Sequence, residues 1–430
     1  MPNPAVLLLG GLSVAWNQRY LDAAHARGLA VLVADAPGPH VAPLLAGWPA
    51  SRPLAEVAEL PPGDVAGIVD RAATWSARYD IRGVCCLREE YVEATAWVAD
   101  LLALPAPGLR AARVCRNKYL QRRYLAAWSP AAELVGPDRR ADAVQEWTRF
   151  PLVVKPVGRL ASSGVRLVSG SWELRDCFAD YGADEVLLFE ERLLGQEYSV
   201  ESLSQSGQLR YTEVTEKRTT EHGSAYFVEM GHTTPAPGLV ATDRTALLAA
   251  HEAVLARLGF GTGMAHAEYR LTGDGAVRLI EIAVRPPGDS ILALHWLATG
   301  TPLEDALVGL AVGEPVAIPT ARRYARQVYL PHDAGVLDGL TVDPALGVRP
   351  LWFSPAEVRA QVAAAGAAGD PPALRCVMAL KPAGTPLAPI RESGDRAAMF
   401  VLDAATPAEL DELEARCRAA ITVRVTPDKN

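Results

Sequence analysis

Two glutamates and an arginine stand where the pattern otherwise asks for a buried strand pair. In residues 261–290, GTGMAHAEYRLTGDGAVRLIEIAVRPPGDS, the alternating apolar runs 264–271 and 276–284 flank Thr272-Gly273-Asp274-Gly275, whose centre suits a tight hairpin turn. Alternation puts Ile280, Ile282 and Val284 on one side of the second run, and Leu279, Glu281, Ala283 and Arg285 on the other. If Thr272 faces Gly275, then Glu268 faces Leu279, and Glu281 lies diagonally from it on the same sheet face at roughly 7–8 Å. Two carboxylates that close repel unless a positive charge lies between them. A hard cation such as Mg²⁺, which takes oxygen ligands at about 2.0–2.1 Å and brings substrate phosphates with it, fills that place. Arg285 adds a cation that keeps its proton, aimed at an anionic reacting group. The alternative is a solvated hairpin face, which the apolar neighbours disfavour.

The rest of the chain must position this pair. At 430 residues it exceeds what one hydrophobic core serves, so about two to four domains or subdomains are expected. Half the residues are apolar and 21% are charged, an ordinary globular balance. A net charge of −8 gives no footprint for nucleic acid or an anionic membrane, which leaves small molecules as partners. The six cysteines (Cys85, Cys86, Cys115, Cys177, Cys376, Cys417) show neither CxxC nor Cys/His metal spacing and read as reduced core residues of a cytoplasmic protein, with no zinc site. The N-terminal apolar run lacks a basic segment before it and a small-residue cleavage site after it, so it reads as a first strand rather than a signal peptide. Nothing approaches the ~18–20 apolar residues of a membrane span.

Residues 1–112 alternate strand and helix signals: a continuous apolar strand at 5–9, Gly10-Gly11, a helix at about 17–27, a strand at 29–35, then 64–78, 83–87 and 90–102. This predicts a small parallel sheet flanked by helices. Gly10-Gly11 lacks the full GxGxxG spacing, so a scaffold that walls a substrate cleft is preferred to a dinucleotide site. After Pro105-Ala106-Pro107-Gly108, residues 113–128 read as one basic amphipathic helix bearing Asn117, Lys118, Arg122 and Arg123. Lys155 ends an apolar strand, where a lone charge is out of place unless it meets an anion. The Gly/Ser loop 157–165 follows; its composition lets backbone N–H groups close on phosphate oxygens, although the ending of a Walker A loop is absent. A helix at 171–181 leads to a buried strand with paired acids at its exit, a glycine and a second strand. The strand 211–218 ends in two cations, and 223–237 reads as a long mobile loop containing Glu229 and His232.

A strand ending in Lys155-Pro156, a Gly/Ser flap, an acidic strand exit followed by Gly195-Gln196-Glu197, and acids on adjacent strands occur in this order in the ATP-grasp superfamily. Residues 1–320 resemble that family, and the tail resembles the C-terminal domain of its L-amino acid ligase branch. The resemblance implies a mixed α/β and α+β chain. Its parts would be an N-terminal Rossmann-like (pre-ATP-grasp) domain over 1–112, a small ATP-grasp lobe over 113–195, a large lobe with the metal site over 196–320, and a C-terminal α+β domain over 321–430. It implies that Lys118 and Lys155 hold ATP phosphates under a flap containing Ser162, Ser163 and Gly164. Glu190 and Glu191 would read the adenine amino edge with backbone help from Leu193, and Glu197 would take the ribose. Glu268 and Glu281 match the magnesium ligands, with Mn²⁺ an alternative, and Arg285 matches the catalytic arginine. Lys217 and His266 are candidates for catalytic contacts, and Glu229, His232, Arg285 and Gly288 for substrate contacts. His266 reads equally as a strand-face histidine satisfied by a neighbour.

One departure is Ala283, where many members carry an asparagine as a further metal ligand. A second ion would then take its oxygens from phosphates and water. The implied reaction is attack of a carboxylate on the ATP γ-phosphoryl group, then displacement of phosphate from the acyl phosphate by an amine, most simply that of an amino acid. This is an ADP-forming, dipeptide-forming ligase that needs ATP and Mg²⁺, with a homodimer as a family-level expectation. The rival readings are a ligase or kinase for a non-amino-acid carboxylate of secondary metabolism, and an ATP-binding protein without turnover.

Overall fold

The structure is a computed structural model that describes residues 2–12, 18–38, 41–46, 48, 50–51, 54–221, 223–352 and 365–427. At the N-terminus the parallel strands Glu56–Glu59, Ala30–Asp35, Asn3–Leu9 and Tyr79–Cys86 lie side by side in that order. The near-continuous apolar runs of the two central strands, Asn3–Leu9 and Ala30–Asp35, follow from burial on both faces. Leu7, Leu9, Ile68, Trp75 and Tyr91 pack on one side, and Val6, Leu8, Val31 and Val33 pack on the other with the helix Leu303–Ala311. That helix approaches closely: a Cβ on Gly83 would stand 2.7 Å from the backbone of Ala311. The helix expected from residue 17 runs as Arg19–Ala26, and Asn17 lies outside the described residues.

A four-stranded antiparallel sheet follows, in the order Ala132–Val135, Leu187–Glu191, Leu152–Pro156, Arg166–Val168. Trp147, Leu174, Tyr181 and Phe189 fill the core between it and its helices. The largest sheet has nine strands, running from Val277–Ala283 through Gly263–Leu271, Gln196–Gln205, Gln208–Thr219 and Glu229–Thr234 to Tyr324–Tyr329, Ala398–Ala404, Ala373–Ala379 and Leu351–Trp352. Strands from either side of residue 320 therefore share one sheet, and the C-terminal segment extends it rather than hanging from it as a separate appendage. A small sheet of Pro386–Leu387, Gly335–Val342 and Ile421–Thr426 completes the chain, beside the helix Pro407–Ala420 with its Thr406/Glu409 capping box. The sequence reads as a helix over 355–368 and as an Ala/Gly loop or helix end over 363–369; the part of both up to residue 364 lies outside the described residues.

Three expectations are corrected. The basic segment 113–128 is two helices, Leu109–Cys115 and Lys118–Tyr124, because Asn117 is extended and its side chain accepts from the Leu120 N–H at 3.0 Å, starting a new helix. The segment 223–237 is not simply a loop: Glu229–Thr234 is a strand paired on both edges, so Glu229 and His232 are held in a ladder. In the hairpin the turn takes one more residue, with Leu271 opposite Val277, and a bulge leaves Ile280 unpaired. Both shifts act together, so Glu268 and Glu281 are direct cross-strand partners rather than diagonal neighbours. The bulge also reverses the facing of Leu279, which joins Ile282 and Val284 in the core while Ile280 turns with Glu281 into the cleft.

Candidate functional site

Between the four-stranded sheet and the hairpin edge of the nine-stranded sheet lies a cleft lined by residues of both. Lys155 and Glu190 come from adjacent antiparallel strands of its roof, where Val153 pairs with Glu190. Glu190 is 2% exposed, and its two oxygens are taken by Lys155 Nζ at 2.6 Å and Arg122 Nε at 2.5 Å. Burial pushes Glu190 up, but Arg122 and Lys155 outweigh it and hold the carboxyl down to about 2. Arg122 also donates to the Ile280 carbonyl at 2.5 Å, tying the roof to the hairpin bulge. Each oxygen of the Glu190 carboxylate thus meets a cation. Glu191, the next residue, is exposed and lines the cleft.

Lys118 opens the second short helix; its ammonium donates to the Arg159 carbonyl at 2.7 Å and lies 3.2 Å from Glu281. Lys217, 2% exposed, sits among Glu197 at 3.2 Å, Glu229 at 3.3 Å and Glu268, its tightest partner. Burial alone would lower the Lys217 pKa, but Glu268, Glu229 and Glu197 carry it well above the usual lysine range. Burial likewise pushes Glu268 up, and Lys217 and His266 outweigh it to hold the carboxyl low. His266 bridges Glu201 at 2.7 Å and Glu268 at 3.3 Å, and these two carboxylates raise it to about 9 against the pull of burial. It is a histidine satisfied by its neighbours that also stands at the site.

Ser162 and Ser163 line the cleft from the flap. Ala161 and Ser162 hold positive φ of 56° and 58°, unusual for residues with a Cβ. Gly164 stands behind them at φ 69°, where a Cβ would meet Pro156 Cγ at 2.8 Å, so it shapes the flap without lining the cleft. Leu193 and Glu197 also line it, though Arg270 takes the Leu193 carbonyl at 3.0 Å and a Glu197 oxygen at 2.9 Å.

A second cavity adjoins the first. Lys217, His232, His266, Arg285 and Gly288 line it, and Ser162, Glu229, Glu268 and Glu281 line both spaces. Arg285 is held by Glu89 at 2.5 Å, and Glu89 in turn by Arg116 at 2.8 Å. His232 Nε2 lies 2.7 Å from Asp289, and Arg396 meets the same carboxylate at 2.8 Å. Burial pushes Asp289 up, but His232 and Arg396 hold it well below the usual range.

Arg270, Glu89, Asp289 and Arg396 were not singled out from the sequence, and Arg122 was read there only as part of a basic helix face. Arg122 could have been found, since it is one turn from Lys118 on the same helix face, and so could Arg270, two residues beyond Glu268 on the same strand face. Nothing local marks Glu89, Asp289 or Arg396, which reach the site through tertiary packing.

The donor set offers a divalent ion two opposed carboxylates, Glu268 and Glu281. Among the described residues no group of three or more His, Cys, Asp or Glu could hold a metal. Two carboxylates suit Mg²⁺, which keeps water and phosphate oxygens as its remaining ligands, and two lysines already balance their charge. Among the described residues no helix is long and apolar enough to cross a membrane.

Comparison with known proteins bears on the fold. Residues 148–293 match the model of an ATP-grasp domain. A curated relative, the uncharacterized protein y4rH of Sinorhizobium fredii, is 28% identical over 272 residues; the match covers 60% of this chain and 55% of that protein. The chain thus spans little more than half the length of that relative. Among solved structures, an L-amino acid ligase from Bacillus licheniformis superposes with a TM-score of 0.75 at 19% identity, covering 99% of this chain and 100% of the other. An N5-carboxyaminoimidazole ribonucleotide synthetase from Thermotoga maritima gives 0.65 at 17% identity over 99% and 100%. A biotin carboxylase from Campylobacter jejuni gives 0.63 at 10% identity over 98% and 92%. The chain has the ATP-grasp fold, and its residues 148–293 match the ATP-grasp domain model.

Proposed function

We propose that the protein is an ADP-forming carboxylate–amine ligase that joins two amino acids through an acyl phosphate. The observation that carries this reading is the junction of the two cavities. Glu268 and Glu281 face each other where the cleft under Lys155 and Ser162 meets the cavity lined by Arg285, so a γ-phosphoryl group bound on one side lies within reach of an acid bound on the other.

In this reading Lys118 and Lys155 hold the phosphates and the flap excludes water. Glu268 and Glu281 would hold Mg²⁺, or Mn²⁺, which when bound neutralises charge on the phosphate oxygens. The substrate carboxylate attacks phosphorus, ADP departs, and Arg285 balances the charge developing on the acyl oxygen. The amine then attacks the carbonyl carbon and phosphate leaves with the bond electrons. Carboxylates of Glu89, Glu229 and Asp289 set against Arg285 and Arg396 around the second cavity suit a zwitterion, which favours amino acids over other acids. A homodimer and a cytoplasmic setting belong to the same proposal; the six cysteines are all free thiols, as that setting requires.

Incubation with ATP, Mg²⁺ and pooled L-amino acids tests it: ADP and phosphate should appear in step with an amide product seen by mass spectrometry. AMP and pyrophosphate, or ADP release indifferent to amino acids, would overturn the reading.

A further inference from the structure

Residues 391–396 reach the site from far along the chain. The short turn Ser393–Asp395 is closed by reciprocal bonds, the Glu392 side chain accepting from the Asp395 backbone and the Asp395 side chain accepting from the Glu392 N–H at 3.0 Å. So fixed, it presents polar groups to three separate elements. The Ser393 N–H donates to the Ala161 carbonyl in the flap at 3.2 Å. The Ser393 hydroxyl donates to Glu229 Oε2 at 3.0 Å, and Lys217 holds the other oxygen of that carboxylate. Arg396, 8% exposed and 3.8 Å above the Tyr329 ring, donates to both oxygens of Asp289 at 2.8 and 3.1 Å and to the Glu229 carbonyl at 3.1 Å.

All five residues, Ala161, Glu229, Asp289, Ser393 and Arg396, line the second cavity. A segment that merely packed against the sheet would bury apolar groups there; this one spends its hydrogen bonds on the flap and on cavity-lining acids. The flap carbonyl it takes belongs to Ala161, which holds one of the positive-φ conformations. Such a conformation persists when its surroundings hold it in place.

We propose that Ser393 and Arg396 are positioning residues that latch the flap and form the far wall of the acceptor cavity, so that the activated acid meets the amine and not water. This rests on the ligase reading above. With the latch closed, the amine nitrogen bonds to the carbonyl carbon, the carbon–oxygen bond to phosphate breaks, and an amine proton passes to the departing phosphate. With it open, water attacks the same carbon, acid and phosphate return, and ATP has been consumed without an amide.

The readout is therefore ADP released per amide formed, measured on the full chain with ATP, Mg²⁺ and pooled L-amino acids. Ser393→Pro removes both donors of Ser393. The backbone accepts proline there, because Ser393 begins the turn and Glu392 before it is extended at φ −144° and ψ 167°. Losing the flap bond should shift the open-to-closed ratio by about fivefold, and the excess of ADP per amide over one, which is the hydrolysed share, should rise by a similar factor. Ser393→Ala, which keeps the N–H, should raise it less, and Arg396→Lys, which cannot span both Asp289 oxygens, should also raise it.

A wild-type ratio near one that stays unchanged in all three variants overturns the latch and leaves the ligase reading intact. Wild-type protein that yields neither ADP nor amide overturns both. If Ser393→Pro fails to fold, the other two variants decide: a raised ratio supports the latch and an unchanged one overturns it.

Discussion

Replacing Glu190 with Gln should cost far more stability than replacing the lysine it holds. Both Glu190 oxygens are engaged, and the side chains of Lys155 and Arg122 are only 9% and 3% exposed. Glu190→Gln leaves two buried cations with no counter-charge, a loss of about 3–5 kcal/mol. Lys155→Met leaves Glu190 still paired with Arg122 and forfeits about 2 kcal/mol, the worth of one charge-assisted bond. The order reverses for the nucleotide. Glu190→Gln keeps both cations for phosphate and should keep its stabilisation by ATP with Mg²⁺, whereas Lys155→Met should lose most of it. Urea unfolding with and without ATP reads both quantities. The pH dependence follows from a folded pKa of about 2 against an ordinary 4.5: the depressed carboxyl stabilises fully above pH 4.5 and loses this contribution as pH falls toward 2. The gap between wild type and Glu190→Gln should therefore stay constant over about pH 6–8 and narrow only in acid. A Glu190→Gln loss under about 1 kcal/mol, a larger loss for Lys155→Met, or a gap that closes near neutrality would refute the reasoning.

Other substitutions probe the hairpin and the helix break. Leu279→Ala should lower stability by about 2–5 kcal/mol in urea unfolding, while Ile280→Ala should cost about 1 kcal/mol and weaken ATP binding, because the bulge sends only Leu279 into the core. Equal stability losses would contradict the bulge. Asn117→Ala removes the cap of the Lys118–Tyr124 helix and should cost about 1 kcal/mol, together with part of the nucleotide response, as Lys118 is the first helical residue. Glu281→Gln should reduce the Mg²⁺-dependent part of ATP stabilisation, read by titrating Mg²⁺ at fixed ATP; an unaltered titration would remove Glu281 from the metal site.

Much of the site was legible because its signals are local. Lys155 at the end of an apolar strand, the Gly/Ser flap after it, and Glu268 and Glu281 in an alternating hairpin are each anomalies of charge within a pattern, and a pattern can be read along the chain. The helix break at Asn117 was also in reach, since asparagine before Lys118 is a cap signal. The strand at Glu229–Thr234 was hidden because its glycine, threonines and flanking prolines read as loop, while its ladder partners lie on Gln208–Thr219 and Tyr324–Tyr329.

The sequence alone determined which side chains carry charge into strands and in what order the cleft-lining residues follow one another, because propensity and period act over a few residues. The tertiary structure alone decided the pairing. A bulge at Ile280 brought Glu268 opposite Glu281, Arg122 and Lys155 converged on one buried carboxylate, and residues 393–396 closed on the flap from across the sheet. Register and long-range contact depend on which strands find each other and how their turns and bulges count, and no local run of residues holds that information.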